Sequence, residues 1–180
     1  MMLDPIVSLS AALTLSVIFA SAASHKLKHP AWFRRQIREY ELVHKGLVAV
    51  AGMALPVVEL VIALGLLWRV SRPYAAVFGL VLIALYALAI GINLLKGRKD
   101  IDCGCSGPAM RQPLQPGLLL RNLCLAVFAV GALLPSIERT LPVFDLFVAI
   151  AAASVSVLLY IAADFWLANR PALLKLLGEK

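Results

Sequence analysis

Five long apolar runs, separated by shorter polar stretches, set the pattern of the chain. The runs cover about residues 5–24, 46–68, 74–95, 118–134 and 144–167. Each is close to the roughly 20 residues with which an α-helix crosses a bilayer, whereas β-barrel strands are about half as long and alternate in polarity. The pattern therefore predicts an all-α fold: a polytopic membrane bundle of about five transmembrane helices, forming one integral membrane domain over residues 1–180.

The first and the fourth run each leave an alternative open. The first ends in small residues, as a signal peptide does, but no lysine or arginine precedes it, which favours a retained helix. The fourth is the shortest. If it only dips into the membrane, the chain has four spans and a different topology after that point.

The polar stretch at about residues 30–42 has a helical pattern of its own. Aromatic and aliphatic side chains alternate there with arginines and glutamates, and Pro30 suits a first helical turn. The stretch predicts a short amphipathic helix that lies at the membrane interface, with Trp32 and Tyr40 at the level of the headgroups.

Composition strengthens the membrane prediction and limits what the charge means. Hydrophobic residues make up 62% of the chain, against about 45–50% in soluble domains. The net charge of +7 is not accompanied by a basic run interleaved with aromatic residues, so it does not indicate a nucleic-acid partner. Basic residues beside membrane spans instead set the orientation of those spans.

The basic residues are divided unevenly between the two sides of a five-span bundle. Of the 17 lysines and arginines, only Arg69, Arg72 and Arg139 fall on the side that carries the N-terminus. The positive-inside rule therefore places the N-terminus outside and the C-terminus inside. It also places the loop at about residues 96–117 near the cytoplasmic face.

That loop contains the strongest chemical signal in the chain, Cys103-Gly104-Cys105. A disulfide between cysteines two positions apart closes a small ring, and strain in such a ring makes the bond easier to reduce. Gly104 supplies the backbone freedom that the ring needs. The two cysteines are therefore predicted to be a catalytic pair for thiol–disulfide exchange, and two loop cysteines without a task are the structural alternative.

A metal site is a second interpretation of the same pair. Thiolates combined with imidazole suit copper(I) or zinc, and the histidines on the same side are His25, His29 and His44. Because Cys-x-Cys alone is a weak metal signal and no histidine is adjacent in sequence, no metal site is predicted.

Glu59 is the most informative residue inside a predicted span. A carboxyl near the middle of a membrane helix is costly and normally faces a partner, a cavity or a proton path. Its candidate partners are Lys26, His25 and Arg121; alternatively it is protonated, or an internal hydrogen bond orders the bundle. Glu59, His25 and Lys26 are predicted to support the cysteine pair.

Further polar residues lie near the ends of the later runs. They are Asn93, Arg121, Asn122 and Asp164. Together they are predicted to form a polar mouth around the loop; the alternative, favoured for each residue taken alone, is a helix-end side chain that bonds to water. Cys124, in the fourth run, is either a third redox partner or a small buried apolar side chain.

Three segments together resemble a known family. They are SAASHKLKHPAWFRRQIREYELV, LPVVELVIALGLL and DCGCSG, within about residues 10–135. Their arrangement is similar to that of the MauE family of methylamine utilisation proteins, which is related to DoxX-like membrane proteins. The resemblance implies a bacterial inner-membrane protein, with a DoxX-like four-helix core plus one helix, that helps to mature methylamine dehydrogenase. It also implies a thioredoxin-like partner and a periplasmic, disulfide-rich client, the small subunit of that enzyme.

These observations lead to one functional expectation and one competitor. We expect a membrane thiol–disulfide exchange factor in which Cys103 and Cys105 cycle between dithiol and disulfide. Its electron source or sink would be a quinone or another thioredoxin-like protein. The competitor is a non-redox assembly factor, a metal-binding protein or a small-solute transporter.

The periplasmic client conflicts with the charge rule, which places the cysteines at the cytoplasmic face. Three arrangements would resolve the conflict: cysteines accessible from both sides, an inverted or four-span topology, or a loop folded back into the bundle.

Overall fold

The computed structural model describes residues 3–105, 107, 111–135, 137 and 139–176. Residues 106 and 108–110 of the predicted cysteine loop lie outside that part. The helices are α1 (Pro5–Lys28), α2 (Pro30–Tyr40), α3 (Val48–Leu67), α4 (Arg72–Leu95), α5 (Pro116–Leu133) and α6 (Val143–Leu176), with a 3-10 turn at Lys45–Leu47.

The all-α prediction and the number of long apolar helices are confirmed. α1, α3, α4, α5 and α6 are each long and apolar enough to cross a membrane. Over the described ranges there is no strand, and Asp102 and Pro113 form an isolated bridge. The protein is therefore a multi-pass helical membrane protein.

Small side chains determine how closely the long helices pack. α1 lies at the centre and contacts α3, α5 and α6, while α4 contacts α3 and α5. Ala12, Ala63, Ala76 and Ala129 are each at most 1% exposed at these interfaces. Between membrane helices such residues allow close approach, since burial of apolar area supplies little driving force in lipid. Ser16 adds a hydrogen bond across α1 and α3, its Oγ donating to the carbonyl of Ala63 at 2.8 Å.

Successive long helices alternate in direction, which divides the molecule into two ends. The cysteine end carries the described residues 96–105, 107 and 111–115, the C-terminal ends of α1, α4 and α6, and the N-terminal ends of α3 and α5. There the Nε2 of Gln115 donates to the carbonyl of Leu167 at 2.6 Å. At the opposite end the amide of Leu3 donates to the carbonyl of Pro135 at 3.0 Å.

The amphipathic helix α2 packs on the cysteine end. Its buried residues are Phe33, Gln36 and Ile37, which face α3 and the cysteine loop. Pro30 occupies its first turn, as the sequence predicts. α2 therefore covers one side of the site described below.

α1 extends four residues beyond the predicted end of the first apolar run, to Lys28. The polar residue that this extension carries inward is Lys26, which is only 3% exposed. A hydropathy pattern ends the helix too early because a lysine normally marks the end of an apolar span. Lys26 remains inside because it has a buried partner.

Candidate functional site

The cysteine loop is folded onto the bundle. The amide of Cys103 donates to the carbonyl of Gln112 at 2.8 Å, and the amide of Leu114 donates to the carbonyl of Ile101 at 3.0 Å. Cys103, Ile101 and Leu114 are buried in a cluster with three helix residues. The helix residues are Ile90, Leu118 and Leu167. The arrangement is one of the three considered above, a loop folded back against the helices.

A tight turn at Asp102 presents the two cysteines. The Oδ1 of Asp102 accepts hydrogen bonds from the amides of Gly104 and Gln112, both at 3.2 Å. Gly104 has a φ of +73°, in the left-handed region that a glycine adopts without strain. An aspartate side chain that accepts from the amide two residues later forms an Asx turn. Asp102 and Gly104 are therefore the residue types that favour this turn. Burial raises the pKa of Asp102, and these two hydrogen bonds act in the opposite direction.

The two cysteines are chemically unequal. Cys103 is 8% exposed, whereas Cys105 is half-buried, and the two are not joined by a disulfide. A hydrogen bond from the Cys103 thiol, together with the charges of Arg121 and Lys26, lowers the pKa of Cys105 to about 6. The same hydrogen bond and burial raise the pKa of Cys103. These opposite shifts favour the thiolate form at Cys105 over the thiolate form at Cys103.

Arg121 on α5 is the cation nearest to the buried sulfur. One of its terminal nitrogens lies 3.5 Å from the Sγ of Cys103. The other donates to Asp164 of α6 at 2.5 Å and to Gln112 of the loop at 3.2 Å. Arg121 and Asp164 are both 6% exposed. A buried ion pair between α5 and α6 thus fixes a guanidinium beside the cysteine pair.

A second buried ion pair joins α1 to α3. Of the three candidate partners for Glu59, the structure places Lys26 against it. Their side chains are 3% and 1% exposed. The hydroxyl of Tyr86 on α4 donates to the same carboxylate oxygen at 2.7 Å. The Lys26 ammonium also lies 5.0 Å from the ring centre of Phe33 and 4.8 Å from that of Tyr86, a favourable arrangement for a cation.

A cavity of about 440 Å³ connects the second ion pair with the cysteines. It lies between α2 and α4, and its wall includes Lys26, Tyr86, Cys103 and Cys105. The remainder of the wall is mainly aliphatic and aromatic. The cavity is called the cysteine cavity below.

The other predicted site residues are placed apart from this centre. His25 is exposed, beside Gly107, and Cys124 is exposed on α5 rather than buried. Asn93 donates to the carbonyl of Tyr40 at 3.4 Å and so connects α4 with the end of α2. Within the described ranges, no group of three or more His, Cys, Asp or Glu side chains is arranged to hold a metal ion.

Sequence reasoning did not single out two residues of α2, Gln36 and Tyr40, as part of the site. Gln36 is 6% exposed on the wall of the cysteine cavity. The hydroxyl of Tyr40 donates to the carbonyl of Cys103 at 3.3 Å, and burial raises its pKa. The available signal was a polar side chain on the apolar face of an amphipathic helix.

In comparisons with known proteins, the matching family model and the similar proteins all have the same description. The family model described as methylamine utilisation protein MauE matches residues 4–135. A methylamine utilization protein MauE of Methylorubrum extorquens is 38% identical over 163 residues, which cover 89% of this chain and 87% of that protein. The protein of the same description from Paracoccus denitrificans is 35% identical over 130 residues, 72% of this chain and 70% of that one.

A third such relative, from Methylophilus methylotrophus, is 32% identical over 89% of this chain and 86% of its own length. No solved structure matches the chain significantly. The family match includes both cysteines and Glu59, and the longer alignments cover about nine-tenths of the chain. The chain belongs to the MauE family.

Proposed function

We propose that the protein is an inner-membrane thiol–disulfide exchange factor that serves methylamine utilisation. In this proposal Cys103 and Cys105 take electrons from a thioredoxin-like partner, which in turn forms disulfides in a periplasmic client such as the methylamine dehydrogenase small subunit. The observation that carries the proposal is a half-buried cysteine next to a buried thiol and two buried cations, which lower its pKa. That combination is typical of a reactive pair rather than of structural cysteines.

The exchange begins with the protein in its disulfide form. A thiolate of the reduced partner attacks the Sγ of Cys105, the more accessible sulfur. The bond between Cys103 and Cys105 breaks, a mixed disulfide forms at Cys105, and Cys103 leaves as a thiolate that takes up a proton. The second thiolate of the partner then attacks the mixed disulfide and releases Cys105. The partner dithiol is thereby oxidised by two electrons, and the cysteine pair is reduced by two.

The low pKa of Cys105 favours this direction. A thiol of lower pKa leaves faster in the second attack, and a stabilised thiolate makes the reduced pair more stable, so the disulfide form is a stronger oxidant. Arg121 and Lys26 contribute by placing positive charge near the sulfurs. The two buried ion pairs hold those cations in position.

A single-turnover experiment tests the exchange itself. The full chain, in lipid nanodiscs and oxidised to the disulfide form, is mixed with reduced thioredoxin as a probe dithiol. We expect one equivalent of thioredoxin to be oxidised for each protein, measured by alkylation and mass shift. Cys124→Ser, which changes an exposed cysteine of α5, is the matched control and should behave like the wild type. Cys103→Ala and Cys105→Ala should each oxidise none.

Client maturation is the corresponding test in cells. Cys103→Ser and Cys105→Ser should each abolish the disulfide-complete client, whereas Cys124→Ser should not. Normal client disulfides in both variants of the pair would overturn the proposal. If Cys103 and Cys105 are always found as free thiols in cells, the non-redox assembly factor is favoured instead.

The side of the membrane is a further requirement of the proposal. An exchange with a periplasmic partner needs Cys105 to react from the periplasm, whereas the basic residues favour the cytoplasmic face for the cysteine end. Two of those basic residues, Lys26 and Arg121, are buried in ion pairs and do not act as loop charges. An impermeant maleimide applied from the periplasm should label Cys105 in a Cys124→Ser background. Labelling only after the membrane is permeabilised would contradict a periplasmic exchange.

A further inference from the structure

The cysteine cavity has the size of a small-molecule site. Its volume of about 440 Å³ falls within the range of about 300–1,000 Å³ that is usual for small-molecule sites. Cys103, Gly104 and Cys105 form one part of its wall, and α2 and α4 form most of the rest. A ligand inside it lies beside both sulfurs.

The cavity borders the lipid-facing surface of the bundle. Leu85 and Leu88 of α4 line it and are 54% and 60% exposed, and Leu42, on its other side, is 40% exposed. In a membrane protein such side chains meet lipid. A ligand that partitions into the bilayer can therefore enter sideways between α2 and α4, without passing through water.

The wall of the cavity is polar at a few residues. Lys26, Gln36 and Tyr86 line it together with the two cysteines. Gln36 is 6% exposed, and its Oε1 has no hydrogen-bond partner in the part of the chain that the structure describes. A buried polar atom without a partner is costly and normally indicates a missing one. A ligand hydroxyl would satisfy this atom, while the ammonium and the Gln36 amide nitrogen would donate to ligand carbonyl oxygens.

We propose that the cysteine cavity binds a lipid-soluble quinone, which reoxidises Cys103 and Cys105 after each exchange. The inference rests on the proposed function, for which it names the electron acceptor. A quinone has the two properties that the cavity selects: an apolar ring and tail for the lipid-facing wall, and oxygens that are carbonyls when oxidised and hydroxyls when reduced. A plain acyl chain would leave the oxygen of Gln36 without a partner and would accept no electrons.

The redox step balances. The Cys105 thiolate and the Cys103 thiol lose two electrons as an S–S bond forms between them. The quinone gains both electrons and becomes a quinol, with two new O–H bonds. One proton comes from the Cys103 thiol, and the second comes from water through the Lys26 and Tyr86 side chains, which then return to their starting states. The quinol leaves into the lipid.

The test starts from the dithiol form alone, with no protein partner. The full chain in nanodiscs is reduced, freed of reductant and mixed with decylubiquinone. We expect one quinol, followed by absorbance, and one Cys103–Cys105 disulfide, followed by mass, for each protein. Ala89→Leu adds side-chain volume to the cavity wall, and Ala84→Leu makes the same change at an exposed position of α4 that does not line the cavity. Ala89→Leu should slow quinol formation at least tenfold, and Ala84→Leu should match the wild type.

The outcomes separate the two proposals. Three results would overturn the quinone site: no quinol forms, quinol forms equally fast in Ala89→Leu and Ala84→Leu, or quinol still forms in Cys103→Ala. The cavity then holds lipid chains. The single-turnover oxidation of thioredoxin starts from the disulfide form and needs no quinone. If it succeeds while quinol formation fails, only the quinone inference falls. If quinol forms with a disulfide but thioredoxin is not oxidised, the quinone site stands and the proposed exchange falls.

Discussion

The two ends of the molecule differ in whether they contain fully buried ion pairs. At the cysteine end, Lys26 and Glu59 are 3% and 1% exposed, and Arg121 with Asp164 is similarly buried. At the opposite end, Arg139 bonds to Asp4 at 3.1 Å and also to Asp145, but Arg139 and Asp4 are 36% and 46% exposed. The cysteine end also has surface pairs, Arg35 with Glu39 and Arg98 with Glu41. What distinguishes it are the two pairs whose members are both inside the bundle, whereas each pair of Arg139 has at least one member at the surface.

The difference indicates what each set of charges contributes. An exposed pair is screened and adds little to stability. A buried pair costs desolvation, and well-packed apolar residues would often stabilise a bundle as well or better. The buried pairs of the cysteine end are therefore poorly explained by stability alone. Their placement beside two thiols and a ligand-sized cavity gives them a functional explanation.

Removing one member of a buried pair should have the largest effect. Glu59→Ala leaves the Lys26 ammonium buried without its partner, and we expect a loss of about 3–5 kcal/mol in the free energy of unfolding. Thermal unfolding in detergent measures it. The double variant Lys26→Met with Glu59→Leu replaces both charges by apolar groups and should recover most of the loss. A single variant as stable as the wild type would remove the contrast between the two ends.

The pH dependence of alkylation should show the effect of these charges on the sulfurs. Because the pKa of Cys105 is lowered to about 6, its thiolate, and with it the alkylation rate, should be present above that pH and lost as the pH falls through it. Cys103→Ala removes the hydrogen bond that contributes most to the shift, so the midpoint should move up toward the ordinary value of 9.0. Mass spectrometry of Cys105, in a Cys124→Ser background, gives the profile. A midpoint near 9 in the unaltered pair would contradict the proposed thiolate.

Loss of the Tyr86 hydroxyl should have a smaller effect. Tyr86→Phe keeps the ring beside the Lys26 ammonium but removes the hydrogen bond to Glu59. Side-chain hydrogen bonds between membrane helices contribute about 0.6 kcal/mol on average, so thermal unfolding should change little. The rate of quinol formation should fall more than stability does, because the hydroxyl belongs to the proton route. Equal rates in variant and wild type would exclude that role.

The exposed pair of the opposite end should have the smallest effect. A hydrogen bond from the amide of Ile6 holds the pKa of Asp4 below its ordinary value of 3.8, and a weaker contribution comes from the hydrogen bond of Arg139. A depressed pKa stabilises the fold above that value, and the contribution is lost as the pH falls through the lower pKa of the folded state. Asp4→Asn should therefore change the unfolding temperature only slightly at neutral pH, and less in high salt. A loss as large as that of Glu59→Ala would show that the two ends are alike.

The fold followed from the sequence further than the site did. Five apolar runs of about the length of a bilayer, and an amphipathic stretch that begins at Pro30, lead to the observed helices because hydropathy and turn chemistry are local properties. The pairing of Cys103 with Cys105 in one turn was also visible, since their spacing is local. Cys124 shows the limit: its sequence does not tell which face of α5 it occupies, and the structure places it on the exposed face.

The sequence by itself determined that this is a multi-helix membrane protein with two cysteines close together in a loop and a carboxyl inside a span. Only the tertiary structure decided which cation meets Glu59, that Arg121 of α5 finds Asp164 of α6 43 positions away, and that a cavity joins the ion pair to the sulfurs. The physical reason is that desolvation and charge pairing depend on distances between side chains of different helices. Those distances are set by how the helices pack, and no local pattern records them.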